Sequence, residues 1–323
     1  MNRRIFGLLT MLVCFGVFVA DGQETQTPQE LAQNIIQDFR TGQRQEVVAD
    51  VNAKIATLQG AVATNSTDGE LFFALSICFM EQDNKTEGLK NIEKAYQLMP
   101  DDPQIGALYV LALKMDKQPD RAIKVAKTVA NLHPDNAALQ VQVATLEMTV
   151  QRYGEALVIL EDLEAKAPEN LDPREKSVLL FMLGNCYFYS GNYAKATEVL
   201  NNAISLTPRM ATANAVIGEI YVKTGNIDLA STNLDKALAV NPRYPGALFY
   251  KGICLEKSGK AELAQDYYLK AYQNQIRYLQ DNGEDYFLMS LICQKIGKGD
   301  EAKRNRDEAA KLLYTYEAPW QVK

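Results

Sequence analysis

Prolines recur at a fixed spacing through the middle of the chain. Pro100, Pro134 and Pro168 lie 34 residues apart, and Pro208 and Pro242 repeat that spacing after a gap of 40. Small or apolar residues keep the same register, 12 residues before the prolines (Gly88, Ala122, Ala156, Ala196, Ala230) and 5 residues before them (Ala95, Val129, Leu163, Ala203, Ala237). A period of this length indicates an array of similar supersecondary units that are stable only when stacked.

Each period has the residue pattern of a helix hairpin. Leu179, Leu183 and Tyr187 recur at four-residue spacing, which gives the first helix of a unit one buried stripe. A glycine that tolerates positive φ then ends this helix, as in Gly191-Asn192. The same glycine pairing recurs in three later units, at Gly225-Asn226, Gly259-Lys260 and Gly297-Lys298. A closing proline ends the second helix and turns the chain into the next unit.

The unit that begins near Ser177 resembles the tetratricopeptide repeat family. The bulky, Leu-Gly, Tyr, Ala, Leu, Ala and Pro pattern of that family is matched by Leu180, Leu183, Gly184, Tyr187, Ala196, Leu200, Ala203 and Pro208. The resemblance implies an all-α fold, a right-handed superhelical solenoid of antiparallel helix hairpins. It also implies that the protein binds other proteins.

The same register predicts how the chain is divided. The resemblance covers residues 69–316 as seven repeats, which begin near Gly69, Pro103, Ala137, Ser177, Ala211, Pro245 and Gly283. Residues 23–68 are predicted to form a degenerate helix pair that caps the array, and residues 317–323 a C-terminal tail. Six residues inserted between Pro168 and Ser177 predict a hinge or a lengthened loop.

Residues 1–22 have the pattern of a signal peptide. Arg3 and Arg4 precede an apolar run over residues 5–19, and Ala20 and Gly22 supply small residues for cleavage before residue 23. The run is shorter than a membrane span of about 20 residues, which favours cleavage over a retained anchor. A lipoprotein attached through Cys14 is disfavoured, because a bulky Val stands where the lipobox requires a small residue. We therefore expect an exported protein, periplasmic or secreted and in a bacterial envelope, with no transmembrane segment in the mature chain.

Charge and motifs argue against nucleic-acid binding and catalysis. The chain has 34 basic and 40 acidic side chains, and the basic ones are scattered rather than clustered. Its one histidine, His133, lies next to Pro134, where we expect a solvated turn residue. No phosphate-binding glycine loop, CxxC or HExxH motif occurs, so we predict no enzyme activity, cofactor or metal.

Four cysteines follow the predicted signal peptide. Cys78, Cys186 and Cys254 occupy the same column of their units, and Cys293 is offset from that column by one residue. Residues in one column of non-adjacent units are too far apart for a disulfide, which requires Cα atoms within about 7 Å. Buried free thiols are therefore favoured.

The family resemblance also predicts where a partner binds. In such repeats the first helices line a concave groove, and a few columns of each first helix face the ligand. Carried over by register, these columns give aromatic and aliphatic anchors, polar residues and a rim of lysines: Phe73, Ile77, Phe181, Asn185, Phe188, Tyr189, Glu219, Lys223, Phe249, Tyr250, Ile253, Lys257, Phe287 and Lys295. The alternative is that the aromatic stripe packs between units as core. The lysine and asparagine clamp that some family members use for C-terminal carboxylates is not reproduced.

These observations predict a non-enzymatic scaffold that binds a peptide or helix of another protein in its groove, within an envelope or secreted complex. The alternative is a structural element that self-assembles. A homodimer through the aromatic residues at 314–320 would be one form of it. A small-ligand binder or an enzyme is a third reading that no motif supports.

Overall fold

The computed structural model describes residues 26–48, 50–167, 171–280 and 282–312. Within these ranges the secondary structure is entirely helical, without a strand. The helices are α1 (Pro28–Arg40), α2 (Arg44–Val48), α3 (Val51–Thr64), α4 (Gly69–Glu81), α5 (Lys85–Leu98), α6 (Pro103–Met115), α7 (Pro119–Leu132), α8 (Ala137–Thr149), α9 (Tyr153–Lys166), α10 (Pro173–Tyr189), α11 (Tyr193–Leu206), α12 (Ala211–Lys223), α13 (Ile227–Val240), α14 (Pro245–Lys257), α15 (Ala261–Tyr278), α16 (Gly283–Lys295) and α17 (Gly299–Lys311).

The helices form two compact units, Met1–Leu146 and Glu147–Lys323, with the boundary inside α8. In unit 1, α3 packs on α4, and the hairpins α4/α5 and α6/α7 follow in chain order. In unit 2, α9 packs on α10, and four hairpins follow: α10/α11, α12/α13, α14/α15 and α16/α17. The predicted fold class of stacked antiparallel helix hairpins is confirmed.

Several first helices begin at an aspartate that caps them. The Asp68, Asp102 and Asp172 carboxylates each accept hydrogen bonds from the second and third backbone N–H groups of the following helix. Such a cap satisfies donors that the helix itself leaves unpaired. Because Asp172 caps and Pro173 fits the first turn, α10 begins at Pro173, four residues before the expected unit start at Ser177.

The turns between paired helices place one residue in the left-handed region. Gly191, Gly225, Gly259 and Gly297 have φ between +76° and +82°. In three turns nearer the N-terminus, the residue with positive φ is Asp83, Lys117 or Gln151, with φ between 57° and 60°. The left-handed conformation costs a residue with a Cβ roughly 1–2 kcal/mol relative to the right-handed one, so the glycine turns of unit 2 are less strained.

Small residues bring the two helices of a hairpin into contact. A Cβ added to Gly184 would lie 2.6 Å from Leu200, and one added to Gly218 would lie 2.6 Å from Leu234. Both leucines are fully buried, as are Ala196, Ala203, Ala230 and Ala237 of the facing helices. The columns of small residues seen in the sequence are therefore the places where helix backbones approach most closely.

The N-terminal cap differs from the expected helix pair. It contains three helices, because the short α2 lies between α1 and α3. The predicted signal peptide at 1–22 and the tail at 317–323 lie outside the described residues. Among the helices that are described, none is both long and apolar enough to span a bilayer.

Candidate interaction surface

Half of the predicted groove residues are buried in the core. Phe73, Ile77, Phe188, Phe249, Tyr250, Ile253 and Phe287 are each at most 9% exposed. The partly exposed ones are Phe181, Asn185, Tyr189, Glu219, Lys223 and Lys295, and Lys257 is exposed. For the buried seven, packing between helices agrees with the alternative of an aromatic core stripe. Partner contact by the accessible ones stays a prediction.

A long-range contact defines the inner face of unit 2. The Tyr189 hydroxyl, at the end of α10, donates to Glu284 Oε1, at the start of α16, over 3.1 Å. These helices belong to the first and the last hairpin of the unit, with α12 and α14 between them in the chain. Side chains of α10 and α16 therefore meet, which requires the row of first helices to curve inward. We call the surface of α10, α12, α14 and α16 around this contact the inner face.

Aromatic rings gather around this contact. The rings of Tyr153 and Tyr189 stack with centroids 4.5 Å apart and planes 10° apart, and the Phe188 ring packs edge-on against Tyr189 at 4.9 Å. On α14, Tyr250 packs against Phe249 at 5.3 Å. Phe181 and Asn185 precede Tyr189 by eight and four residues, so they share its side of α10. The inner face thus continues from the Tyr189–Glu284 contact along α10.

A desolvated ion pair lies on α12. Lys223 Nζ is 3.7 Å from Glu219 Oε1, and the two side chains are 3% and 14% exposed. The Lys223 ammonium also lies over the Phe188 ring, 5.3 Å from its centroid. The pKa of Glu219 is raised to about 7, chiefly by burial and in part by nearby Glu284, whereas Lys223 and a hydrogen bond with Tyr250 oppose the rise. Burial also lowers the pKa of Lys223. The charged groups of Glu219 and Lys223 are thus largely removed from water, which costs solvation free energy.

Three carboxylates lie near Tyr244. Its pKa is raised, chiefly by burial and then by the carboxylates of Glu284, Glu219 and Asp285. The pKa of Tyr153 is raised by burial and by Glu284 as well. Tyr153, Tyr244 and Glu284 were not among the sequence-predicted residues, because they lie at the start of their helices or just before it, outside the first-helix columns that were carried over.

The predicted lysine rim is partly engaged within the chain. Lys295 Nζ donates to both carboxylate oxygens of Glu256, at 2.9 and 2.7 Å, and lies 5.7 Å from the centroid of the Tyr268 ring. Lys223 belongs to the buried pair described above. Lys257 is the accessible member of the rim. In the part of the chain that the structure describes, no group of three His, Cys, Asp or Glu side chains is placed to hold a metal ion.

Glu219 predicts how the stability of unit 2 depends on pH. The pKa of Glu219 in the folded chain, about 7, is above the ordinary 4.5. The folded state therefore binds the proton more tightly than the unfolded state. The stability gained in this way is complete below about pH 4.5 and is lost as the pH rises through 7. Between pH 5 and 8 we expect the free energy of opening of α12 to fall by on the order of 2 kcal/mol. Replacing Glu219 by glutamine should remove most of this slope. Hydrogen exchange of α12 amides across that pH range measures it.

The control is Glu198→Gln, which removes one carboxylate from an exposed position on α11. It should keep the pH slope of the unmodified chain. If Glu219→Gln also kept that slope, the pH dependence would arise elsewhere in unit 2.

Models of a known repeat family match the sequence of unit 2. Two tetratricopeptide repeat models match the sequence, one over residues 177–210 and the other over residues 216–277. Residues 177–210 and 216–277 are tetratricopeptide repeats. Both matches fall within unit 2, on the hairpins that carry the inner face.

Solved structures show related folds. The chain is 17% identical to a tetratricopeptide repeat protein from Parabacteroides merdae, with a TM-score of 0.57, over 83% of this chain and 99% of that one. It is 20% identical to MamA from Desulfovibrio magneticus, with a TM-score of 0.47, over 54% of this chain and 95% of that one. No curated protein matches the sequence. The Parabacteroides structure supports the fold, and a fold of this kind serves as a scaffold for protein interactions.

Proposed function

We propose that this protein binds a segment of a partner protein on the inner face of unit 2. The observation that carries the proposal is the Tyr189–Glu284 contact, which brings aromatic and charged side chains from separate hairpins to one place. Contacts between the two helices of a hairpin are made by the small and aliphatic columns. The inner-face tyrosines are additional to that packing. Partly exposed aromatic side chains that converge in this way are typical of binding hot spots.

The chemistry of the inner face indicates the kind of segment that fits. Tyr153, Tyr189 and Phe181 offer apolar area with little conformational freedom to lose. Glu284 and Asp285 lie near Tyr244 together with Glu219, and of these three Glu219 is paired with Lys223. A segment with apolar anchors and a positively charged side chain is therefore complementary to this surface.

Site-specific crosslinking tests the proposal. A photoreactive residue at position 181 or 185 should crosslink the same partner in an envelope fraction, whereas one at exposed position 236 on α13 should not. All three substitutions should leave the helical content of the chain unchanged. Equal crosslinking from position 236, or none from 181 and 185, would contradict binding on the inner face.

The cellular setting is part of the proposal. The signal-like sequence at residues 1–22 supports export, and we propose a periplasmic or secreted complex as the place of binding. The predicted homodimer depends on residues 314–320, which lie outside the described residues, and it stays a prediction.

A further inference from the structure

Helix α1 has its own start and stop signals in the local sequence. Thr27 and Glu30 form a capping box, in which each side chain binds the backbone N–H of the other residue, and Pro28 occupies the first turn. The helix ends before Gly42, at φ 67°. Ten residues, which include the short α2, separate α1 from α3, whereas three residues separate α4 from α5. Helix α1 is therefore not joined to α3 by the tight turn that makes a hairpin.

One side of α1 is apolar and covered. Ala32, Ile35 and Ile36 are at most 3% exposed, and the neighbouring Gln33, Asn34 and Gln37 are exposed. The covered residues lie three and four positions apart, so they form one stripe of the helix. The surface that covers them belongs mainly to α4. Helix α1 is thus an amphipathic helix laid on the first helix of the next hairpin.

The polar contacts of α1 reach the first turns of both α4 and α6. Gln33 Nε2 donates to Glu70 Oε2, in the first turn of α4, over 3.4 Å. Seven residues later, Arg40 Nε donates to Gln104 Oε1, in the first turn of α6, over 2.6 Å. Seven helical residues span about 10 Å, which is the distance between the axes of two packed helices. Helix α1 therefore packs on α4, and its last residue, Arg40, reaches the first turn of α6.

The surface beneath α1 includes predicted groove residues. The Phe39 ring packs edge-on against Phe73, with centroids 6.0 Å apart, and Phe73 is 1% exposed. Phe181, in the same column of a unit 2 hairpin, is partly exposed. Arg40 adds an ion pair with Asp102 at 3.8 Å, between side chains that are 43% and 19% exposed. An apolar stripe with polar contacts at its margins is how an amphipathic helix binds in a groove.

We propose that α1 is a built-in ligand of unit 1. It occupies the surface that α4 offers to a partner, and the partner that fits this surface is an amphipathic helix with apolar residues at the spacing of Ala32, Ile35, Ile36 and Phe39. Such a partner binds by displacing α1, which remains tethered through residues 41–50. The inference concerns unit 1 and does not depend on the inner face of unit 2.

Hydrogen exchange on the unmodified chain tests whether α1 opens separately. The amides of α1 should exchange at least tenfold faster than those of α4 and α6, since releasing α1 leaves both hairpins packed. If α1 and α4 exchanged at the same rate, α1 would be an integral part of the fold and the proposal would be overturned.

A peptide competition tests the surface itself. A labelled peptide of residues 26–43 should bind the Ile35→Asp chain at least tenfold more tightly than the unmodified chain, because the substitution weakens the resident helix. The Asn34→Asp chain carries the same added charge on the exposed side of α1 and should bind the peptide like the unmodified chain. A peptide that itself carries Ile35→Asp should not bind. Equal affinity for all three chains, or loss of exchange protection in α4–α7 of the Ile35→Asp chain, would overturn the proposal.

Discussion

Replacing Phe249 by alanine is expected to lower the free energy of unfolding of unit 2 by about 3–5 kcal/mol. Phe249 is completely buried, and its ring contacts Tyr250 on its own helix and Tyr268 on α15, with centroids 5.3 and 5.8 Å away. Truncation removes buried area and leaves a cavity that these two large rings cannot fill. Hydrogen exchange of α14 and α15 amides, with urea unfolding followed by circular dichroism, measures the loss.

Phe181→Ala is the matched control, because Phe181 occupies the same column of an earlier hairpin and is partly exposed. It should lower stability by only about 1 kcal/mol, since less area returns to water. Equal losses at both positions would contradict the assignment of Phe249 to the core and Phe181 to the inner face.

The second large effect is expected at Gly218. Alanine there would place its Cβ 2.6 Å from Cγ of Leu234, a side chain with no exposure. Because Cγ lies next to the backbone of α13, the clash is relieved only by moving the helices of this hairpin apart. We expect a loss of about 3 kcal/mol, at the upper end of the range for overpacked cores. Thermal unfolding and exchange of α12 and α13 amides report it.

Gly154→Ala is the control for the intrinsic effect of the same substitution. Gly154 also lies in a helix of unit 2, but nothing is within 4 Å of an added Cβ. The change should stabilise the chain by about 0.5–1 kcal/mol, because alanine loses less backbone entropy on folding. A Gly218→Ala chain as stable as the Gly154→Ala chain would contradict close packing as the role of the small-residue column.

The hairpins could be predicted because their signals are local. The approach of Gly184 to Leu200 joins residues 16 apart, and the left-handed turn at Gly191 depends on one residue. The inner face, in contrast, depends on contacts between residues that are far apart in the sequence. The Tyr189–Glu284 contact joins residues 95 apart, and it reflects the inward curvature accumulated over successive hairpins, which no single repeat encodes.

The repeat register also could not predict which members of one column are buried. Phe181 and Phe249 have equivalent positions, yet one is partly exposed and the other buried, because Tyr250 and Tyr268 enclose Phe249. The placement of α1 was missed for a related reason. Its apolar stripe was visible in the sequence, but the direction in which it crosses α4 follows from α2 and the contacts of Arg40.

The buried cysteines can report the transient opening of each unit. Burial raises the pKa of Cys78 and of Cys186 to about 12, and that of Cys254 and of Cys293 to about 11. At neutral pH almost no thiolate forms in the closed structure, so a thiol reagent reacts only during transient opening. Cys78 then reports unit 1 and the other three report unit 2. The rate of alkylation at each thiol therefore measures how often its own hairpin opens, in the native sequence and without denaturant.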